Sequence, residues 1–384
     1  MRGHIVKRGK NSYTVVLNMG KDPATGKRNQ QWVSVKGNKK DAEKRLSEML
    51  HQIDTGSFMA PGKTTVKDYL ERWIADYRNN LAPGSYEKYR DIVNKGLIPN
   101  LGSIPLTQLK PEHIQTLYTA MQGRGLSART VRYHHAVIHV ALKTALQWGL
   151  IVRNPADAVK PPKLHRSEMK TWEEPEIHQF LERAKDSQYY SLFYTALFTG
   201  MRRSELLGLR WSDVDLVLGQ VHVSRTLHCL DDRTYVFTEP KSAKSRRTID
   251  LPPSATSTLR AHQEKQRLDR AMLGKPWSNE DLVFSTLEGK PWDPDRVTRG
   301  WEAAVKRAGV KRIRLHDARH THASIMLKQG IHPKIVQERL GHSSIAMTLD
   351  VYSHVTPGLQ QAAAQRFDDL LTPKHENGVV AEVG

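Results

Sequence analysis

Four side chains near the end of the sequence have the types and the spacing that phosphate chemistry requires. They are His316, Arg319, His342 and Tyr352. An arginine presents a planar fork of donors to non-bridging phosphate oxygens, and a histidine can donate a hydrogen bond or exchange a proton near neutral pH. A tyrosine phenol can attack phosphorus and hold the product covalently. The order His, Arg, His, Tyr therefore predicts chemistry on a phosphate ester.

Short helices are expected to position these groups. The interval of three residues places His316 and Arg319 on one face of a helix that begins with HDARHTH. The sequence LGH places His342 just after the end of the next helix. For each residue taken alone a structural interpretation stays open: HDARHTH would be a solvated helix start, and Tyr352 would belong to an amphipathic core.

The combined spacing resembles the signature of a known family. The motif HxxR, then LGH, then a tyrosine ten residues later, is similar to the C-terminal half of the tyrosine recombinase (phage integrase) signature. The resemblance implies that an arginine motif and a catalytic lysine precede these residues in the chain.

An arginine motif is found in FTGMRRSELLGLRW, residues 198–211. It resembles the family's first catalytic arginine motif, with Arg202 in the arginine position and Glu205 in the acidic position three residues later. From there Glu205 can orient an arginine or a histidine through hydrogen bonds. Arg203 is the competing candidate, but as the next residue on a helix it would point roughly 100° away, so we assign the role to Arg202.

A segment crowded with cations, EPKSAKSRR at residues 239–247, separates two strand-like runs and is expected to be a hairpin tip. The family carries its catalytic lysine on a β-hairpin at this point. Lys241 matches that position, and Lys244 is the alternative. An ammonium group on a flexible stem can protonate a leaving oxygen. From residue type alone, a general phosphate-contact loop is an equally open interpretation.

The resemblance implies a role for each matched position. Arg202 and Arg319 would clamp the non-bridging oxygens as charge develops on them. His316 would assist proton transfer or donate to the phosphate, and His342 would donate to the phosphate. The lysine would be the general acid for the departing 5′ hydroxyl, and the tyrosine would become linked to the 3′ phosphate. Strand exchange would then need neither ATP nor a metal or other cofactor.

A zinc site is the alternative chemistry for the same helix. His316 and His320 are four residues apart, a spacing that zinc can use, and His322 is close in sequence. No glutamate lies beside them in the HExxH manner, so we expect no metal at this helix.

Charge points to a polyanionic partner. The 384 residues carry a formal net charge of +19. Residues 1–62 hold 12 Lys and Arg against 5 Asp and Glu, and residues 63–165 hold 15 against 7, so most of the excess precedes the catalytic-looking motifs. Cys229 is the single cysteine, which excludes an internal disulfide and favours a reduced compartment. No apolar run has the length of a membrane span.

Composition and motifs predict a multidomain, mainly helical protein with small β elements. Residues 1–62 are expected to form a basic ββ(β)α unit, with strands at 12–17 and 31–35 and a helix at 41–54. This unit resembles the arm-site-binding domain of lambda-type integrases. A small unit whose lysines are merely solvated is the alternative.

Residues 63–165 are expected to be a helical domain similar to the family's SAM-like core-binding domain, beginning at a Thr65/Asp68 capping box. His134 and His135 on its longest helix are read as surface or groove histidines rather than metal ligands. Residues 166–384 would form the mixed α+β catalytic domain, with a further helix at 357–371 and a C-terminal tail.

The most specific function that the sequence indicates is a site-specific DNA recombinase that integrates or excises a phage or mobile element. The alternatives are a type IB topoisomerase-like strand cleaver and a DNA-binding regulator with a vestigial site. The resemblance implies double-stranded DNA with core and arm attachment sites as the partner, and a homotetramer on that DNA. An excisionase and a host DNA-bending protein would be further partners, in the cytoplasm of a bacterial host at its nucleoid.

Overall fold

A computed structural model describes residues 3–21, 28–54, 64–164, 169–240, 245–273, 280–352, 364–365, 367–368 and 371. The chain divides into two compact units, Met1–His165 and Arg166–Gly384. No helix among the described residues is both long enough and apolar enough to cross a membrane.

The first unit begins with a three-stranded antiparallel sheet and a helix. The elements are β1 (Gly3–Gly9), β2 (Ser12–Lys21), β3 (Arg28–Lys36) and α1 (Lys39–Asp54), with β2 in the centre of the sheet. Alternate residues Val15 and Leu17 of β2 pack with Ala42 and Met49 of α1 in a small apolar core. The predicted strands and helix are confirmed, and β1 is the third strand.

A helical bundle with its own apolar core follows in the same unit. Its helices are α2 (Val66–Asp76), α3 (Pro83–Asp91), α4 (Ile98–Leu101), α5 (Pro111–Gly123) and α6 (Ala128–Gln147). The side chain of Thr65 accepts from the backbone N–H of Asp68, and Asp68 accepts from the N–H of Thr65, so the predicted capping box is formed. Tyr69, Trp73 and Tyr118 are fully buried in the bundle core.

The second unit combines eight helices with short strands among its described residues. The helices are α7 (Glu174–Ala184), α8 (Tyr190–Thr199), α9 (Arg203–Gly208), α10 (Pro253–Leu273), α11 (Pro294–Ala308), α12 (Leu315–Lys328), α13 (Pro333–Leu340) and α14 (Ile345–Tyr352). The strands are β4 (Val214–Asp215), β5 (Gln220–Val223), β6 (Thr226–Cys229), β7 (Tyr235–Thr238) and β8 (Arg247–Asp250). Trp172 stacks on Trp301 and packs against Phe180 in the apolar core of this unit.

The strands around the lysine-bearing segment differ from the predicted hairpin. β7 pairs with β6, and β8 pairs with β5, so β7 and β8 are not partners of each other. Thr238 lies opposite Thr226 and Arg247 lies opposite Val223. Between β5 and β6 only residues 224 and 225 are left out of the pairing, whereas eight residues, 239–246, are left out between β7 and β8. Residues 239–246 are therefore an excursion in the pairing, a stretch between the paired Thr238 and Arg247 whose residues 241–244 lie outside the described part of the structure. The hairpin of β6 and β7 is closed by the tight turn after Leu230.

Candidate active site

Arg202 lies at a bend between two helices. Gly200 ends α8 with a φ of 64°, a left-handed conformation that favours glycine. The guanidinium Nη1 of Arg202 donates to Oε1 of Glu205 at 2.6 Å, and its Nη2 donates to the carbonyl oxygen of Gly341 at 3.2 Å. The side chain is 31% exposed. It is therefore fixed at its inner side and open toward solvent, where a phosphate oxygen can reach it.

The competing arginine points elsewhere. Nη1 of Arg203 donates to the carbonyl oxygen of Pro294 at 3.0 Å and to Oγ1 of Thr298 at 2.6 Å. These contacts commit Arg203 to α11. The geometry thus favours Arg202 over its neighbour as the phosphate-binding arginine, and that assignment stays a prediction.

Arg319 is buried on α12 and faces the same bend. Its Nη1 donates to the carbonyl oxygen of Gly200 at 2.9 Å, and its Nη2 donates to that of Leu340 at 2.6 Å. Burial, together with the nearby charge of Arg202, lowers the pKa of Arg319 to about 9. It remains a cation at neutral pH, held by carbonyl dipoles rather than by a carboxylate.

The approach of α8 to α13 requires a glycine. A methyl group on Gly200 would lie 2.4 Å from Cδ2 of Leu340 and 3.0 Å from Cδ2 of His322. A β-carbon at this position would force the side chains of Leu340 and His322 to shift. Gly200 therefore serves both the left-handed turn and the close packing beneath the arginines.

His342 lies immediately after the carbonyl groups that accept from the two arginines. It is 5% exposed, and its Nδ1 is 2.8 Å from Oγ1 of the buried Thr348. Burial and the positive charges of Arg319 and Arg202 lower its pKa to about 3. The imidazole is therefore neutral at neutral pH and can donate through one ring nitrogen only.

His316 occupies the first turn of α12 at the surface. Its ring meets that of His320 edge to face, with 5.3 Å between the centroids. Partial desolvation, followed by the positive potential of His320 and Arg319, lowers the pKa of His316. A neutral imidazole in this position can accept a proton. In the part of the chain that the structure describes, no three His, Cys, Asp or Glu side chains are grouped to hold a metal ion.

His322 is committed to a different network. Its Nδ1 donates to the carbonyl oxygen of Leu197 at 2.9 Å, so its Nε2 must accept from Nε of Arg339 at 3.1 Å. Arg339 also donates to the carbonyl oxygens of Phe198 and Asp250. Burial lowers the pKa of His322 to about 3. These contacts join α8, β8, α12 and α13 behind the arginines.

Glu205 and Arg247 form a second buried connection. Glu205 is 1% exposed and Arg247 is 6% exposed. Nη2 of Arg247 donates to Oε2 of Glu205 at 2.9 Å, and its Nη1 donates to Oε1 at 3.2 Å. Burial alone would raise the pKa of Glu205, but the hydrogen bonds and charge of Arg247, with the charge of Arg202, hold it below its ordinary value. The carboxylate is thus ionised and shared by two guanidinium groups.

The charge balance of this region favours an anionic ligand. Four guanidinium groups lie in this region, of which two contact the buried carboxylate of Glu205, and backbone carbonyl oxygens accept hydrogen bonds from all four. The cations are Arg202, Arg247, Arg319 and Arg339. Low-dielectric surroundings strengthen the attraction of these cations for an anion.

Sequence reasoning missed Arg247 and Arg339. The pair Arg246-Arg247 at the start of β8 gave a partial signal, because successive strand residues point to opposite faces. The sequence alone did not indicate which of the two is buried. Arg339 had no distinguishing signal beyond its position one residue before Leu340.

Two predicted residues are not placed in the site by the structure. Lys241 and its alternative Lys244 lie outside the described residues. Tyr352 is the last residue of α14, ten residues after His342, and its side chain is also outside the described part of the structure. The predicted helix at 357–371 and the tail that follows fall largely in the same category.

Comparison with protein families identifies two matching regions. A profile described as "Phage integrase family" matches residues 168–358. A second, described as "Phage integrase, N-terminal SAM-like domain", matches residues 65–122. The first region contains the whole cluster built around Arg202, Arg319 and His342.

Curated relatives align along almost the entire chain. A tyrosine recombinase XerC-like protein of Caldanaerobacter subterraneus subsp. tengcongensis is 29% identical over 95% of this chain and 98% of its own length. The ICEBs1 integrase of Bacillus subtilis is 28% identical over 94% of this chain and 97% of its own length.

Solved structures share the fold. A Tn1549 transposon integrase in complex with circular intermediate DNA superposes with a TM-score of 0.67 at 22% identity, covering 79% of this chain and 99% of that one. A lambda integrase dimer bound to a core site gives a TM-score of 0.58 at 20% identity, covering 90% of this chain and 93% of that one. The family profiles, the relatives and the fold agree with one another. The chain belongs to the phage integrase family and is a tyrosine site-specific DNA recombinase.

Proposed function

We propose that this recombinase cleaves and rejoins core attachment sites through a covalent 3′-phosphotyrosine, with the six sequence-matched residues as its catalytic set. The observation that carries the assignment is the convergence of Arg202 and Arg319 on the Leu340-Gly341 carbonyl groups, directly beside His342. Two cations and one neutral imidazole then meet at one short segment, residues 340–342. That is the arrangement that a phosphodiester needs when charge develops on its non-bridging oxygens.

Cleavage in this proposal exchanges one phosphoester bond of the DNA for one between the DNA and the protein. The phenol oxygen of Tyr352 forms a bond to phosphorus and gives up its proton to His316, while the bond from phosphorus to the 5′ oxygen breaks. Lys241, or Lys244 in its place, donates a proton to the leaving 5′ oxygen. Attack by a 5′ hydroxyl from another strand reverses the sequence. The phosphoester energy stays in the protein–DNA bond, and the fixed arginines supply the positive charge, so the scheme calls on no nucleotide, metal or other cofactor.

The three domains have different proposed roles: residues 1–62 bind arm-type DNA, residues 63–165 bind the core site, and residues 166–384 carry out catalysis. On the N-terminal sheet, Val15 and Leu17 face α1, so Trp32, opposite Val16, lies on the other face. Trp32 is 51% exposed, and the guanidinium carbon of Arg8 lies 5.7 Å from the centre of its ring. An exposed aromatic ring with a cation beside it fits contact with DNA.

Assembly and partners are proposed on the same grounds. Bridging of arm and core sites calls for several protomers on one DNA complex, and a lambda integrase tetramer on a Holliday junction provides a structural precedent at a TM-score of 0.57. We propose a homotetramer on DNA, with an excisionase and a host DNA-bending protein as accessory partners. The site of action would be the bacterial cytoplasm, at the nucleoid.

Deletion of residues 1–56 tests the proposed arm-binding role. We expect the truncated protein to cleave isolated core sites as the full chain does but to integrate poorly, because only integration requires the arm contacts. The two activities are measured on a nicked core substrate and in a two-plasmid integration assay. Trp32→Ala, which leaves the α1-facing side of the sheet unchanged, should likewise impair integration and spare cleavage of core sites. Normal integration by the truncated protein would contradict the assignment.

A further inference from the structure

Arg247 is the most fully engaged arginine near the active site. Besides its two bonds to Glu205, its Nε donates to the carbonyl oxygen of Arg339 at 2.7 Å and its Nη1 donates to that of Ser245 at 3.1 Å. The side chain is 6% exposed. An arginine so enclosed and so bonded has little freedom to contact DNA itself. Its role must be exerted through the groups that it holds.

Arg247 directly follows the lysine-bearing excursion. It is the first residue of β8, paired opposite Val223, and it ends the excursion of residues 239–246. It follows Lys244 by three residues and Lys241 by six. The residue that follows the excursion is therefore a buried arginine in a paired strand.

The same side chain connects that end to the phosphate clamp. Arg247 and Arg202 donate to the same carboxylate, Glu205. Arg247 also donates to the backbone of Arg339, one residue before the Leu340 carbonyl group that accepts from Arg319. One guanidinium thus fixes the start of β8 relative to both clamping arginines.

The neighbouring arginine offers a contrast on the same segment. Arg246 has a side chain that is 58% exposed and pairs with Glu239, at the other end of the excursion. Exposed ion pairs of this kind contribute little to stability. Arg246 and Arg247 therefore carry equal charge at adjacent positions and differ in burial and in the groups that they contact.

We propose that Arg247 is a positioning residue that couples the lysine-bearing excursion to the Arg202 and Arg319 clamp, so that the general acid reaches the 5′ oxygen of a phosphate already bound. The proposal rests on the proposed function, in which a lysine of this excursion donates the proton. A variant without Arg247 would then be impaired in protonation of the leaving group. Phosphate binding and nucleophilic attack would remain.

A sulfur substitution separates these steps. In a substrate with sulfur in place of the bridging 5′ oxygen, the bond from phosphorus to sulfur breaks and a thiolate departs without taking a proton. A variant that lacks only the proton donation is therefore rescued by this substrate, whereas a variant that lacks phosphate stabilisation is not. A merely destabilised protein fails on both substrates.

We expect Arg247→Ala to slow cleavage of the ordinary nicked core substrate by about 10- to 100-fold, part of the ~10²- to 10⁴-fold that general acid catalysis supplies. On the sulfur substrate its rate should return to within about threefold of wild type. Arg247→Lys keeps a cation beside Glu205 but cannot bond Glu205 and two carbonyl groups together, and should show the same pattern more weakly. Arg246→Ala is the matched control and should cleave both substrates as the wild type does.

The outcomes are separable. An equal defect of Arg247→Ala on both substrates, in a protein that still binds DNA, overturns the proposal. If the alanine variant does not fold, Arg247→Lys decides by the same comparison. Lys241→Ala and Lys244→Ala are run beside them: rescue of one of these identifies the acid, so a failure of Arg247 alone refutes only the positioning role. If sulfur rescues neither lysine variant, the proposed general acid is itself wrong.

Discussion

Replacement of Arg319 by alanine is expected to lower the rate of covalent adduct formation by about 10³-fold, since one preorganised donor to developing charge supplies effects of that order. The guanidinium is already held by the Gly200 and Leu340 carbonyl groups, so no reorganisation accompanies the reaction. Arg319→Lys keeps a cation but loses the planar fork, and one ammonium cannot serve two carbonyl groups and a phosphate in the same geometry. We expect it to recover little of the loss.

Single-turnover cleavage of a nicked core substrate measures this effect, with DNA binding measured in parallel. Binding should weaken only modestly, because one phosphate contact out of many is lost. Arg312→Ala is the matched control: it removes the same charge from a side chain that is 85% exposed. Cleavage by Arg319→Ala within about tenfold of wild type would remove Arg319 from the catalytic set.

Glu205→Ala is expected to destabilise the protein by about 3–5 kcal/mol, the range seen when one partner of a buried ion pair is removed. Its loss leaves the almost fully buried Arg247 without a counterion and releases Arg202 from its anchor. Glu205→Gln keeps the shape and an acceptor oxygen but not the charge, so it should fall between alanine and wild type. Denaturant unfolding of the full chain measures the free energy of unfolding for each.

The control for this comparison is Glu302→Ala. Glu302 lies 3.7 Å from Arg312 with a side chain that is 46% exposed. Its removal should change the free energy of unfolding by less than about 1 kcal/mol. A cost below about 1 kcal/mol for Glu205→Ala as well would show that the buried network does not hold the site together.

The sequence was sufficient to predict the elements that carry the motifs. Helical spacing predicted that His316 and Arg319 lie on the same helix, and both lie on α12, where Arg319 is buried and His316 is exposed. The order of the motifs also predicted the family, which the comparisons confirm. The contacts between the motifs could not be predicted from the sequence. The two arginines donate to the backbone carbonyl groups of Gly200, Leu340 and Gly341, and every residue type has such a group.

Strand pairing was the second feature that the sequence did not predict. The runs on either side of the lysine segment have strand composition, but composition does not select a partner. The observed pairing of β7 with β6 and β8 with β5 depends on long-range register, and so does the burial of Arg247 rather than Arg246. The positioning role proposed for Arg247 could therefore be inferred only from the structure.

Covalent trapping tests the central claim most directly. A nicked suicide substrate with a core site, taken from the junctions that flank the gene, is incubated with wild type and with Tyr352→Phe, with and without a chelator. The adduct is read on a denaturing gel. We expect an adduct in the wild type that survives the chelator and disappears in Tyr352→Phe. An adduct that persists in Tyr352→Phe, or DNA binding by the wild type with no adduct at all, would contradict tyrosine-mediated cleavage at this residue.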